Sequence, residues 1–172
     1  MWIYLMRHGP AGNRDPVRWP DDARRPLTLR GARRTERAAR GLANLERRAV
    51  CLLTSPLERT LQTAQLLEQS MSLVGPVQIA EELAPGAPAA RIIARLNRLA
   101  SSATVVLVGH EPDLGRLAGM LVFGDAERAI ALKKAGCCAV AFEDTVGVGE
   151  GRLVWLLPPR LLRRGARKPA SR

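Results

Sequence analysis

Residues 4–12 read YLMRHGPAG, an apolar segment that ends abruptly at an arginine, a histidine and a glycine. The residues before this break are aromatic, β-branched or aliphatic, as in a buried strand, and the glycine and proline that follow are typical of a turn. Arg7 and His8 are therefore expected at the carboxyl end of the first strand. Open α/β sheets bind their ligands at that end, so His8 is a candidate functional residue.

Segments of strand length alternate with segments of helical periodicity along the rest of the chain. Further strands are predicted at 49–55, 77–83, 102–110, 137–143 and 151–158. Helices are predicted at 27–48, 56–70, 87–101 and 112–124, with Thr28 as the N-cap of the first. This alternation predicts an α/β fold, a three-layer α/β/α sandwich with a mostly parallel central sheet, helices on both faces and a terminal hairpin.

Length and composition fit one domain. The chain has 172 residues, of which 47% are hydrophobic, enough for a sizeable core. We predict a domain over residues 1–158. The remaining residues, 159–172, are rich in arginine and carry no acidic side chain, so a flexible basic tail is expected there.

The formal net charge is +11, which raises the question of nucleic-acid binding. Much of this charge lies in the tail and along one predicted helix. Aromatic residues make up 3% of the chain, so a platform on which single-stranded bases could stack is not evident. The sequence therefore disfavours nucleic acid as a partner.

No segment has the length and apolarity of a membrane span or the pattern of a signal peptide, so a cytoplasmic protein is expected. The three cysteines, Cys51, Cys137 and Cys138, lack metal-ligand spacing and are interpreted as small strand and core residues. No metal or cofactor is expected.

Three strand ends carry residues that could meet at one rim of the sheet. Arg7 and His8 follow the first strand, Ser55 and Arg59 follow the second, and His110 follows the strongest later strand. An arginine in the first turn of a helix opposes the helix dipole unless an anion lies between them. The alternative is a set of packed histidines and solvated arginines with no common function.

Four motifs in this order resemble the histidine phosphatase superfamily, which has the phosphoglycerate-mutase-like fold: LMRHGPA, RPLTLRGARR, LTSPLERTLQTA and VLVGHEPDLG. The short length and the segment ELAPGA are similar to the small branch of SixA-type phosphohistidine phosphatases. The resemblance extends from about Trp2 to Trp155, most of the chain.

The resemblance implies that His8 is the nucleophile and becomes phosphorylated. Arg7, Arg59 and a protonated His110 would complete the phosphate pocket. The chemistry agrees, because guanidinium groups stabilise the charge on the equatorial oxygens of a transferring phosphoryl group. His8 must present a neutral attacking nitrogen, so its other nitrogen is expected to donate to a backbone carbonyl. Nothing in this scheme requires a metal.

The sequence departs from the larger family at the proton donor. A glutamate is expected there, but the sequence has Pro85, with Glu81 and Glu82 just upstream as low-ranking substitutes. An imidazole leaves more readily than an alkoxide without an acid, so a protein phosphohistidine is the expected substrate. Two alternatives stay open: a general phosphomonoesterase for small molecules that uses Glu82 or Glu81, and a non-catalytic module that binds anions or a partner.

The loop at 11–26 is expected at the mouth of the pocket. Its arginines, Arg14, Arg18, Arg24 and Arg25, suit a phosphorylated protein or a small phosphorylated substrate, unless they are simply solvated. No long insertion could form a lid, so an open site is expected.

Overall fold

A computed structural model describes residues 1–46, 48 and 50–166, and a six-stranded sheet forms its middle layer. The strands are β1 (Trp2–Arg7), β2 (Cys51–Thr54), β3 (Gln78–Ile79), β4 (Thr104–Gly109), β5 (Cys137–Ala141) and β6 (Arg152–Leu157). Their order is β3-β2-β4-β1-β5-β6. The first four run parallel, whereas β5 and β6 form the predicted antiparallel hairpin.

Five helices cover the two faces of the sheet. They are α1 (Leu29–Leu45), α2 (Glu58–Glu68), α3 (Ala89–Leu96), α4 (Asp113–Phe123) and α5 (Pro159–Gly165). One core joins α1, α2 and α5 to the sheet through Leu42, Leu67 and Leu162. The opposite core joins α3 and α4 through Leu96 and Leu121. The predicted three-layer α/β/α architecture is therefore confirmed.

Local signals set several helix ends. The hydroxyl of Thr28 accepts from the Gly31 N–H over 2.9 Å, which confirms the predicted N-cap of α1. α4 ends at Gly124, whose φ of 73° is readily adopted by glycine. The predicted strand at 77–83 shortens to the two residues of β3, because residues 81–83 turn into a 3-10 helix.

The structure differs from the predicted tail after residue 158. Residues 159–165 form α5 rather than a flexible segment, and Leu162 is buried against α1. A Cβ on Gly41 would overlap the backbone carbonyl of Leu162, so glycine permits this close approach. Asn44 also donates to the Gly165 carbonyl over 2.7 Å. The rest of the predicted tail, 167–172, lies outside the described residues.

The other predictions about the chain as a whole concern membranes and cysteines. Within the part of the chain that the structure describes, no helix is both long and apolar enough to cross a bilayer. Cys51, Cys137 and Cys138 are free thiols, and all three lie on strands. The interpretation of these cysteines as strand and core residues is confirmed.

Candidate active site

The carboxyl ends of β1, β2 and β4 meet at one end of the sheet. β4 lies between the other two. His8 N–H donates to the Gly109 carbonyl and Ser55 N–H to the Val108 carbonyl, both over 3.0 Å. The ring centroids of His8 and His110 lie 5.3 Å apart. The predicted meeting of these strand ends is therefore confirmed.

A cavity of about 500 Å³ lies over the strand ends. Its wall contains all four residues of the predicted phosphate pocket: Arg7, His8, Arg59 and His110. Further charged side chains also line it: Arg14, Arg25, Glu111, Asp113 and Lys134. Cationic groups outnumber carboxylates, so the cavity suits an anionic ligand.

The tautomer of His8 follows from one hydrogen bond. Its Nδ1 lies 2.7 Å from the backbone carbonyl oxygen of Gly9. A carbonyl oxygen only accepts, so Nδ1 carries the proton and Nε2 keeps a lone pair. This is the tautomer predicted for a nucleophilic imidazole.

The turn after His8 is fixed by close packing. Gly9 N–H donates to the Thr63 hydroxyl over 3.0 Å. A Cβ on Gly9 would overlap the Thr35 hydroxyl, so only glycine fits between β1 and α1 without displacing a side chain. The Gly9 carbonyl is thus held where it accepts from His8, which fixes the imidazole ring.

The electrostatic surroundings keep His8 neutral. Its side chain is buried, and burial lowers its pKa to about 4, with further lowering by the cationic groups of Arg59, Arg7 and Lys134. The hydrogen bond to Gly9 opposes this shift only in part. A neutral imidazole at pH 7 is the form that attacks phosphorus.

The protein's own groups disfavour a protonated His110. Burial lowers its pKa to about 3, with further lowering by Arg59, His8 and Arg7. A protonated His110 beside a phosphoryl group therefore stays a prediction. An anion placed in the cavity would favour the charged form and raise this pKa.

Ser55 provides the partner that orients His110. Its Oγ lies 2.8 Å from His110 Nε2, and both side chains are buried. If the hydroxyl donates to Nε2, the proton of the imidazole resides on Nδ1. Nδ1 is buried and has no partner among the described residues, so in this tautomer a neutral His110 has one N–H to donate.

The two lowered pKa values predict an unusual histidine titration. His8 and His110 are the only histidines among the chain's 172 residues, so the Cε1–H region of a ¹H–¹³C spectrum contains two signals, which His8→Ala assigns. Both signals should stay in the neutral form down to about pH 5 and titrate only below it. Activity that depends on neutral His8 should be present above its pKa and be lost as the pH falls through about 4. Titration midpoints near pH 6.5 would show that burial does not lower the pKa values of these histidines.

Ser55→Ala should weaken the orientation of His110 without removing any charge. We expect kcat/KM to fall about tenfold, the equivalent of one lost hydrogen bond. The ¹⁵N chemical shifts of His110 should change from the values of a single tautomer to the averaged values of a mixture of both tautomers. Ser70→Ala is the control, because that hydroxyl only bonds the Leu66 carbonyl on α2. An unchanged His110 tautomer in Ser55→Ala would refute the positioning role.

Three buried nitrogen atoms in this cavity wall lack hydrogen-bond partners among the described residues. They are Arg7 Nε, Arg59 Nε and His110 Nδ1. Buried polar groups without partners cost free energy, and such groups are uncommon in folded proteins. Their concentration around His8 indicates a site that is completed by an anionic ligand.

Asp22, which no sequence pattern identifies as a site residue, holds Arg59 from the loop at 11–26. Arg59 Nη1 donates to the Asp22 carbonyl over 2.9 Å, and Nη2 lies 3.2 Å from a carboxylate oxygen of Asp22. The same carboxylate pairs with Arg25 over 2.8 Å. The hydrogen bond with Arg25 is the main cause that lowers the Asp22 pKa. One carboxylate therefore links the loop to two arginines of the cavity.

The loop arginines divide into two pairs. Arg14 and Arg25 line the cavity, and Arg25 is buried, with a further bond to the Gly12 carbonyl. Arg18 and Arg24 are exposed and lie outside the lining. The prediction that this loop contributes to the pocket mouth is confirmed for the first pair only.

Glu81 and Glu82, the predicted substitutes for a proton donor, do not line this cavity. Glu81 is exposed, and Glu82 pairs with Arg95 over 3.1 Å. A backbone hydrogen bond, followed by Arg95, lowers the Glu82 pKa, which disfavours the protonated form that an acid needs. Pro85 lines the cavity at the expected position of the donor.

Glu111 and Lys134 are cavity residues that the sequence patterns do not reveal. Glu111 directly follows His110, and burial raises its pKa. Its carboxylate accepts from the Leu132 N–H over 2.8 Å, while the Leu132 carbonyl accepts from Arg7 over 3.0 Å. The segment that carries Lys134 is thereby held by hydrogen bonds to both Glu111 and Arg7. The only feature of the sequence that could identify Glu111 as a cavity residue is its position next to His110.

The described part of the chain contains no group of three or more histidine, cysteine, aspartate or glutamate side chains arranged to hold a metal ion. The cavity instead offers guanidinium, ammonium and imidazole groups, which bind anions.

Comparison with known proteins agrees with this geometry. Residues 3–84 match the family model described as histidine phosphatase superfamily (branch 1). An uncharacterised protein of Picosynechococcus sp. (strain ATCC 27264 / PCC 7002 / PR-6) is 40% identical over 139 residues, which cover 79% of this chain and 82% of that protein.

Solved structures show the same architecture. The protein histidine phosphatase SixA complexed with tungstate is 25% identical, with a TM-score of 0.81 over 94% of this chain and 99% of that chain. The alpha-ribazole phosphatase from Shigella flexneri is 20% identical, with a TM-score of 0.65 over 87% of this chain and 96% of that chain, a likeness of fold. With the motifs, the sheet order and the cavity in agreement, the chain belongs to the histidine phosphatase superfamily and to its small SixA-type branch.

Proposed function

We propose that this protein removes phosphate from phosphohistidine in another protein, through a covalent phosphohistidine at His8. The observation that carries the proposal is the arrangement around His8. Its Nδ1 is bonded to the Gly9 carbonyl, which leaves the lone pair on Nε2, and Arg7, Arg59 and His110 share its cavity, each with a buried nitrogen that lacks a partner among the described residues. Such a set of donors around a neutral nucleophile is suited to phosphoryl transfer.

The reaction has two displacements at phosphorus. First, His8 Nε2 attacks phosphorus, the P–N bond to the substrate imidazole breaks, and the leaving nitrogen takes a proton from solvent. Water then attacks the phosphorus, the P–N bond to His8 breaks, and inorganic phosphate leaves. Arg7 and Arg59 stabilise the charge on the equatorial oxygens in both steps. Neither step needs a metal, so a chelator should leave the rate unchanged.

Two features support a histidine carried on a protein as the substrate. Pro85 occupies the place of a proton donor, and an imidazole leaves more easily than an alkoxide when no acid assists. The rim of the cavity is exposed at Asn13, Arg14 and Gly86, so it can receive a side chain that projects from a folded surface. Arg14 gives this rim a positive charge, which attracts the negatively charged phosphoryl group of a substrate.

The test compares one peptide in two phosphorylated forms, with phosphohistidine or phosphoserine at the same position. We expect kcat/KM to be about 100-fold higher for the phosphohistidine peptide, because a general acid contributes about this factor to the release of an alkoxide. The identical flanking residues confine the difference to the phosphorylated side chain. Faster release of phosphate from the phosphoserine peptide would overturn the proposed substrate while leaving the phosphatase chemistry intact.

A general phosphomonoesterase is the second candidate function, and Glu111 favours it. This carboxyl group lines the cavity beside His110, and its raised pKa increases the fraction that carries a proton. A protonated carboxyl group within the cavity is what an alkoxide leaving group needs. Glu111 is better placed for this role than Glu81 or Glu82, which lie outside the cavity lining.

Glu111→Gln should separate the two substrates. The glutamine oxygen can still accept from the Leu132 N–H, so the cavity wall should be retained. If Glu111 protonates an alkoxide, phosphoserine hydrolysis falls about 100-fold, whereas phosphohistidine hydrolysis stays within about threefold. Glu82→Gln is the matched control and should change neither rate. Equal losses on both substrates would assign Glu111 to the architecture of the wall instead.

A further inference from the structure

A second cationic concavity lies outside the active site, between α1 and α5. Four arginines line this cavity of about 200 Å³: Arg37, Arg160, Arg163 and Arg164. None of these residues lines the active-site cavity. We refer to the four as the α1–α5 arginine cluster.

The fold holds the two helices of the cluster in fixed contact. Leu162 is 1% exposed and belongs to the core that includes Leu42 of α1. Gly41 leaves room for the Leu162 carbonyl, and Asn44 donates to the Gly165 carbonyl. The arginines are therefore brought together by core contacts on the opposite sides of the same helices, rather than by interactions of their own.

The cluster lacks a compensating negative charge in the described part of the chain. None of its four guanidinium groups forms an ion pair there, although Arg40 on the same helix pairs with Glu36. Burial, followed by the charges of Arg34 and Arg37, lowers the pKa of Arg163. Like charges at short range repel one another. Binding of a multiply charged anion would offset this repulsion and stabilise the cluster.

The lining also indicates the chemical class of this anion. Guanidinium groups bind phosphate oxygens through paired hydrogen bonds, and the four residues that line this small space are all arginines. The cavity has no aromatic lining, so it offers no surface on which a base could stack. A small concavity between two helices suits a compact chain of phosphate groups better than it suits a rod-like duplex.

We propose that the α1–α5 arginine cluster binds a compact condensed phosphate, either a free short polyphosphate or the phosphate tail of a nucleotide. The site requires no catalytic residue, so the proposal is independent of the phosphatase reaction. Binding there would anchor α5 to α1 by bridging guanidinium groups of both helices. A second phosphate compound would therefore bind outside the active-site cavity.

The first experiment locates binding by chemical modification of arginine in the full chain. Phenylglyoxal labels exposed arginines, and peptide mass spectrometry reports each one. We expect inorganic tripolyphosphate to protect Arg160, Arg163 and Arg164 at concentrations that leave Arg91 and Arg98 on the opposite face labelled. Equal protection of all exposed arginines, or no protection of the cluster, would overturn the proposal.

The second experiment measures affinity by calorimetry with tripolyphosphate and with ATP. The double variant Arg37→Gln/Arg163→Gln should lose the cluster site, with affinity reduced at least about tenfold per guanidinium removed. The control Arg91→Gln/Arg98→Gln loses the same charge from exposed positions and should retain parental affinity. Equal losses in the two variants would show a general charge effect and refute a defined site.

Two further comparisons complete the test. Tighter binding of ATP would identify the nucleotide tail as the source of the phosphates, and tighter binding of tripolyphosphate would identify the free chain; both results support the site. Stronger protection of the cluster by duplex DNA than by tripolyphosphate would overturn the compact ligand in favour of nucleic acid. Thermal unfolding verifies that each variant is folded, and phosphatase activity measured in parallel keeps the two proposals separate.

Discussion

His8→Ala is expected to abolish the phosphoenzyme and to lower phosphatase turnover by at least about 10⁴-fold, as for the loss of other nucleophiles. The reason is chemical, because Nε2 of His8 holds the lone pair that attacks phosphorus. Brief incubation with the phosphohistidine peptide, followed by intact mass and acid-labile phosphate measurement, reports the phosphoenzyme directly. The parent should gain one phosphoryl group and the variant none.

The control for this experiment is phosphate binding by the variant. Arg7, Arg59 and His110 remain in His8→Ala, so a folded variant should still bind phosphate, and its unfolding temperature should remain near that of the parent. A phosphoenzyme in the variant would place the nucleophile elsewhere, with His110 as the only other histidine. A parent that binds phosphate but forms no phosphoenzyme and releases none would instead support the non-catalytic module.

Arg59→Gln is expected to reduce kcat/KM by about 10³-fold, the upper range for loss of one charge-stabilising donor group. Arg59 is buried at the start of α2, where its guanidinium faces the cavity and the loop. Its charge also helps to lower the pKa values of His8 and His110. The variant should therefore show both imidazoles titrating at higher pH, in addition to the loss of rate.

Arg14→Gln provides the matched control for Arg59→Gln. Both arginines line the cavity and both are near Asp22, but the side chain of Arg14 is 83% exposed. Solvent screens such a charge, so its loss should change kcat/KM by less than about threefold. Equal losses in the two variants would mean that the net charge of the cavity matters and that the position of Arg59 does not.

The main architecture follows from local patterns in the sequence. β1 and β4 are apolar segments, each followed within the next residue by a histidine, and α1 begins directly after Thr28, whose hydroxyl group caps the helix. Parallel strands place their carboxyl ends together, so a rim that contains His8 and His110 can be predicted without coordinates. The roles of these residues remain predictions that the variants above would test.

Other features depend on contacts between distant segments, which no local pattern contains. α5 has only Leu161 and Leu162 as large apolar residues in a stretch rich in arginine, and its stability comes from docking at Gly41. Asp22 resembles any loop aspartate until Arg59 is placed beside it. The lowered pKa of His110 likewise depends on burial and on neighbouring cations that only the folded chain brings together.

The docking of α5 also has a consequence for the synthesis of the chain. The core on this face combines Tyr4 and Met6 of β1 with Leu42 of α1 and Leu162 of α5. During translation, this core lacks Leu162, and α1 lacks its contact at Gly41, until α5 has been synthesised. The nascent chain therefore exposes apolar surface on this side of the sheet until residue 162 is available, and we expect this core to close only then, with chaperones shielding it in the meantime.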